Sequence, residues 1–197
     1  GDPSSLGILL DYQGALAEPL VENTVKLSDK TPIQVQKGNV AFIGGGNYAS
    51  RVLIPAFKHA GANLIALVTS GGVSALHHGK KNGFLVASTD IEQALIDDVD
   101  TVVIATQHNL HASQIAQALE KGKHVFVEKP LALTHEEINK IESLQIKAET
   151  MVMVGYNRRF SPHIEKIKCL LDAKPLPKTF IMTMNAGEIP KTHWTQE

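Results

Sequence analysis

The sequence predicts an α/β protein built on a doubly wound parallel sheet. Six short, unbroken apolar runs recur between residues 39 and 156, and runs without polar alternation belong to strands covered on both faces. Segments with apolar residues at helical spacing separate them, so the chain reads as repeated βα units. The first run ends in three glycines, where a strand must turn sharply into a helix.

Each element has its own local reason. The strands are expected at "NVAFIG" (39 to 44), "LIALVT" (64 to 69), "FLVAS" (84 to 88), "TVVIAT" (101 to 106), "HVFVEK" (124 to 129) and "MVMVGY" (151 to 156). After the glycines, Ala49, Val52, Leu53, Ala56, Phe57 and Ala60 fall at i, i+3, i+4 spacing. They predict a helix lying on the sheet, kinked at Pro55. Thr89 with Glu92, and Thr134 with Glu137, each fit a capping box that satisfies orphan amides of a first helical turn. A helix from about Asn109 to Lys121 stops at Gly122, a residue free to take the left-handed cap. Ser161 and Pro162 open a last helix with Ile164, Ile167 and Leu171 on one side, and "KTFIMTMNAG" (178 to 187) predicts a final strand. Residues 1–38 show no comparable pattern and are expected to form an arm or linker.

Composition narrows the function classes. The 197 residues carry a formal charge of -1, from 19 Lys plus Arg against 20 Asp plus Glu, with no basic block. Nucleic acid and anionic membranes therefore find no electrostatic footprint, and a small molecule is the expected partner. No run approaches the roughly 18 apolar residues of a membrane span. The start, "GDPSSLGILL", has no basic n-region, and a cytoplasmic protein is expected. A single cysteine, Cys169, allows neither a disulfide framework nor a cysteine-cluster zinc site within the chain. His108 and His111 lack a carboxylate or thiolate at ligand spacing, so no metal site is expected.

The glycine turn carries the first chemical signal. Gly44, Gly46 and Ala49 fit G-x-G-x-x-A at the end of a strand and the start of an amphipathic helix. In that context the first glycine allows the tight turn, the second lets a pyrophosphate approach the backbone, and the alanine lets helix and strand pack closely. Unpaired amides at the helix start, around Asn47 and Tyr48, would face the phosphates. A glycine turn in a nucleotide-free domain is the competing reading; six alternating strands favour the dinucleotide.

Four motifs in order, "FIGGGNYA", "VVIATQHNLHA", "VFVEKPLAL" and "MVGYNRRF", resemble the glucose-fructose oxidoreductase and inositol dehydrogenase family (Gfo/Idh/MocA) of nicotinamide-dependent sugar oxidoreductases, from about residue 39 to 187. The resemblance implies a Rossmann-type dinucleotide-binding domain followed by an α+β substrate domain. It implies NAD or NADP as cofactor, a sugar-like or polyol alcohol as substrate, and a homo-oligomer for the full-length protein. It places Lys129 of the E-K-P tripeptide, beside Glu128, next to the nicotinamide and the substrate. It also implies that Ala105 to Ala112, with Thr106, His108 and His111, lines the cofactor groove, and that "GYNRRF" leads to the substrate side. The residues agree on their own terms. Lys129 lies where a strand must stop, because Pro130 cannot donate to a ladder, and ligands of open α/β sheets bind beyond the carboxyl ends of the strands. An ammonium there can hold a hydroxyl and stabilise a developing alkoxide. A surface lysine paired with Glu128 is the plainer alternative, and a dinucleotide-binding sensor without chemistry is the alternative function.

Two departures from the family pattern stand out. The second strand ends "LVTSGG", with no acid between Gly61 and Thr89, so Thr69 and Ser70 occupy the place of the usual ribose-binding carboxylate. That leaves NAD and NADP equally open. The family's later Asp and His motif has no counterpart here, and the chain is expected to be a fragment: an arm (1–38), a NAD(P)-binding domain (39–160) and the beginning of a truncated substrate domain (161–197). The segment "LGILLDYQ" faintly resembles the last strand of a zinc-type medium-chain alcohol dehydrogenase, as in bacterial two-domain fusions.

Overall fold

A computed structural model describes residues 22–29, 38–172, 176–183, 185 and 187–188. The chain divides into two compact units, Gly1–Tyr156 and Asn157–Glu197. In the first, strands β1 (Thr24–Lys26), β2 (Asn39–Ile43), β3 (Asn63–Val68), β4 (Val86–Ser88), β5 (Thr101–Ile104), β6 (His124–Glu128) and β7 (Val152–Gly155) form one sheet in the order β1-β4-β3-β2-β5-β6-β7. All neighbours are parallel except β1 on β4.

The unbroken apolar strands divide their side chains between two cores, as a period of two requires. Ala41 and Ile43 face one, with Ile65, Val102, Ile104 and Ile115. Val40 and Phe42 face the other, with Leu53, Ile54, Leu67 and Phe84. There Phe42 meets Phe57 and Phe84 edge-on at 5.5 and 5.8 Å, a geometry favoured by the ring quadrupoles. The connecting helices are α1 (Ile54–His59), α2 (Gly72–Asn82), α3 (His111–Glu120) and α4 (His135–Ala148). Gly83 and Gly122 close α2 and α3 at φ of +86° and +67°, where a side chain would be strained.

Four expectations change. The helix after the glycines is not one α-helix running through Pro55; a π-helical turn, Ala49–Leu53, precedes α1, Pro55 stands in the first turn of α1, and the Ile54 amide bonds the Ala49 carbonyl. Proline has no amide to give the carbonyl four residues back, and the wider turn absorbs the gap. The extra residue rotates the apolar face: Ile54 becomes fully buried, while Val52, Ala56 and Ala60 are exposed. Thr89 does not cap a helix. Its hydroxyl points to the Asn23 carbonyl (3.5 Å), and Asp90 takes the role, accepting the Glu92 amide at 3.0 Å ahead of a 3₁₀ turn, Ile91–Ala94. Part of the expected arm is β1, which Asn23 ties further by accepting the Ser88 hydroxyl at 2.7 Å. Finally, among the described residues between 178 and 187 there is no strand; 184 and 186 lie outside the described residues. A strand needs a neighbour's amides and carbonyls, and no described strand pairs with this segment.

In the second unit, Asn157–Phe160 forms a 3₁₀ turn and α5 (Pro162–Asp172) follows, with the Ser161 hydroxyl accepting the Ile164 amide at 3.4 Å. Arg159 lies 5.2 Å over the Phe160 ring. No residue of α5 is buried. The segments 1–21 and 30–37, including "LGILLDYQ", lie outside the described residues.

Candidate active site

Parallel register brings the strand ends to one level. Ile43, Ile104 and Val127 pair across β2, β5 and β6, and Val68 and Ser88 continue the row through β3 and β4. The strand order runs one way from β2 through β3 to β4 and the other way from β5 to β7. The crevice of such a sheet opens between β2 and β5, where the order reverses. Lys129, one residue past β6, stands two strand spacings from the β2 turn, about 10 Å.

The three glycines of the β2 turn have different reasons to be there. Gly44 has φ +102°, and a Cβ on it would strike the Ala105 carbonyl, so the turns after β2 and β5 touch backbone to backbone. Its amide bonds the Val68 carbonyl at 2.8 Å. A Cβ on Gly45 would sit 2.9 Å from the Thr69 methyl. At Gly46 nothing lies within 4 Å of where a Cβ would be. The protein's own packing explains the first two; the third keeps space open in front of a helix start. A pyrophosphate fits that space, held by the first-turn amides, which have no intrahelical acceptor. Asn47 and Tyr48 are exposed there.

Thr69 is placed otherwise than the sequence led one to expect. It is 8% exposed, and its hydroxyl donates to the Gly71 carbonyl at 2.6 Å with the Ser74 hydroxyl 3.0 Å away. It closes its own turn, leaving Ser70, which is exposed, at the position facing solvent.

The β5 and β6 turns hold the remaining candidates. His108 is half-buried, its ring centroid 5.8 Å from that of His111. Burial first, then the Lys129 charge and His111, lower its proton affinity below that of ordinary histidine. His111 is fully buried: it lies beneath the surface, not on a groove wall, with its ring nitrogens 2.6 Å from the Pro130 carbonyl and 3.2 Å from the Thr106 carbonyl. Thr106 donates its hydroxyl to Gln114 at 2.6 Å. Gln114 was not singled out from sequence; its signal is a polar side chain one helical turn from His111 on the inward face of α3.

Glu128 is half-buried, and its Oε1 is enclosed without a hydrogen-bond partner. Burial pushes its carboxyl above the ordinary range, against the pull of the Lys129 amide, the Lys129 charge and His111. A Cβ on Gly155 of β7 would meet that oxygen at 2.7 Å, so the glycine makes room for the carboxylate. Lys129 is exposed, and the Lys129–Pro130 peptide is cis. A cavity of about 660 Å³ opens at the opposite edge, where His124, Gln145 and Thr150 line it. It lies at the amino end of β6, away from Lys129. Among the described residues no group of three His, Cys, Asp or Glu side chains could hold a metal, and no helix is long and apolar enough to cross a membrane.

Residues 38–156 match the oxidoreductase family with an NAD-binding Rossmann fold, GFO/IDH/MocA. The chain belongs to this family. The inositol 2-dehydrogenase of Rhizobium meliloti (strain 1021) is 29% identical over 130 residues, 66% of this chain and 39% of the relative. A solved levoglucosan dehydrogenase, in complex with NADH and levoglucosan, is 27% identical with a TM-score of 0.62, over 70% of this chain and 40% of that one. A 3-ketoreductase from Actinomadura kijaniata in complex with NADP shares the fold at 24% identity and a TM-score of 0.65, over 70% and 44%. The chain spans between 25% and 39% of the length of the curated relatives it first matches.

Proposed function

We propose that the chain is the cofactor half of an NAD(P)-dependent oxidoreductase that moves hydride between the nicotinamide and a sugar-like or polyol alcohol. The observation that carries the reading is the open space at Gly46, two strands from an exposed lysine on the same sheet edge. When bound, the nicotinamide supplies the hydride acceptor. The chain's residues bind and orient: the turn 44–49 holds the phosphates, Ser70 faces the ribose, and Lys129 holds the hydroxyl oxygen and stabilises the alkoxide as the hydroxyl proton passes to a base of the substrate half. The solved levoglucosan dehydrogenase and the inositol 2-dehydrogenase relative favour a sugar-like substrate. The fold also serves binding proteins, but a cation at the crevice favours chemistry over sensing. The full-length protein, in this reading, is a cytoplasmic homo-oligomer. The segment "LGILLDYQ" favours placing the chain behind a zinc-type alcohol dehydrogenase module.

The test is two-part. NADH and NADPH titrations of this chain, followed by fluorescence, should show saturable binding that Gly46→Val abolishes by filling the phosphate space. NAD(P)H formation by the full-length protein across polyols and aldoses should depend on Lys129, with Lys129→Met lowering kcat by about two orders of magnitude or more. Binding untouched by Gly46→Val removes the turn from the cofactor site.

A further inference from the structure

The inward face of α3 is apolar where it meets the sheet, through Ile115, Ala118 and Leu119, all buried. Its first turn breaks that pattern. His111 is fully buried, and burying an imidazole among carbonyls is costly unless its nitrogens are bonded. An aliphatic side chain would hold α3 on the sheet without that cost, so the ring does something more than pack. It stands between two loops: Nδ1 lies 2.6 Å from the Pro130 carbonyl and Nε2 3.2 Å from the Thr106 carbonyl. The shorter contact assigns an N–H to Nδ1, which donates to the Pro130 carbonyl; in that tautomer Nε2 carries no proton toward Thr106, so the tie to that loop falls to a neighbour. Gln114, on the same helical face, accepts the Thr106 hydroxyl at 2.6 Å and fixes the other loop. The Thr106 loop in turn abuts the glycine turn, since Ala105 leaves no room for a Cβ on Gly44.

We infer that His111 is a positioning residue. It pins the Lys129–Pro130 segment to α3, which Gln114 ties to the turn after β5, so that the Lys129 ammonium keeps a fixed place relative to the Gly44–Ala49 turn. The inference rests on the oxidoreductase reading for the role of Lys129, but the clamp is a property of the chain itself. A reacting group displaced by about 1 Å loses on the order of a hundredfold in rate, and an exposed lysine on an untethered loop has no means of avoiding that.

Two substitutions separate the ring's nitrogens. The amide nitrogen of Asn falls near Nδ1 and that of Gln near Nε2, so His111→Asn keeps the Pro130 bond and His111→Gln does not; His111→Leu keeps only volume. Amide hydrogen exchange of this chain, read by mass spectrometry, should rise about tenfold over residues 129–133 in His111→Leu and His111→Gln, with β2 unchanged, and stay near wild type in His111→Asn. In the full-length protein, kcat should fall about tenfold in His111→Gln while the NAD(P)H Kd holds, and His111→Asn should recover most of it. Combined with Lys129→Met, His111→Gln should add almost nothing. Unchanged exchange in both His111→Leu and His111→Gln overturns the clamp. Raised exchange with unchanged kcat, or with a kcat loss that adds in full to that of Lys129→Met, overturns the positioning role. Wild-type turnover equal to that of Lys129→Met overturns the role of Lys129 and the positioning claim with it, while the exchange data still show whether the clamp exists. If His111→Leu does not fold, the Asn and Gln pair decides, and the reverse order of the two overturns the inference.

Discussion

His108 and His111 sit three residues apart in one motif and end in different places. The 3₁₀ turn His108–Leu110 precedes α3, and it turns one ring to a half-buried position while the next enters the core. Residue spacing marks both as belonging to the ligand edge but does not encode which way a side chain points at the junction of two helix types. The same limit hid the direction of Thr69, whose hydroxyl is taken by its own turn. Gly44 was legible because a tight turn leaves a mark on residue identity. His108 offers a direct check. Burial, Lys129 and His111 all lower its proton affinity, so the ring is expected to be mainly neutral at about pH 7. Its NMR titration midpoint should lie below that of an ordinary histidine. Lys129→Met should raise the midpoint only part of the way, because burial is the largest cause and remains. A midpoint indifferent to that substitution would show that the two side chains do not share a field.

Two threonines with the same capping signature show how neighbours decide an element's end. At α4 the capping box forms in full: Thr134 accepts the Glu137 amide at 3.2 Å, and Glu137 accepts the amides of Thr134 and Leu133 at 3.3 and 2.8 Å. Thr89 has the same sequence offset, but its amide is drawn to the carbonyl of Asn23, the residue ahead of β1, at 2.9 Å. A local signal survives where no strand competes for the same groups. Thr134→Ala should therefore lower stability by about 1 kcal/mol in urea unfolding, at unchanged slope. Thr89→Ala should cost about half as much or less, since Asp90 holds the cap. Equal losses at the two sites would mean that the box contributes nothing beyond an ordinary hydroxyl. The central strands β2, β3 and β5 were legible because burial on both faces enforces an unbroken apolar run. β1 was not, because three residues, two of them exposed, leave no periodic trace.

The whole folded unit carries the cost of one half-buried acid. Glu128 binds its proton more tightly in the fold than in an open chain, with burial the largest cause. The folded state then holds more protons than the unfolded state between the two titration points. The stability this group contributes is complete below the ordinary glutamate range and is lost as pH rises through the raised value. Glu128→Gln removes the titration, so its stability relative to wild type should improve between about pH 4 and pH 7. A relative stability that is flat or falls across that interval would contradict the burial of the carboxylate.

Concentrated solutions probe the margins of a sheet before they reach its core. β1 closes one margin with three residues, Thr24 to Lys26, and an exposed ion pair between Lys26 and Asp29 at 2.9 Å follows at once. A second molecule arriving there meets too short a row of amides and carbonyls to extend a ladder, and a charge that would have to shed its water. Among the described strands β1 is in this sense a selvedge: it offers an approaching sheet little to fuse with.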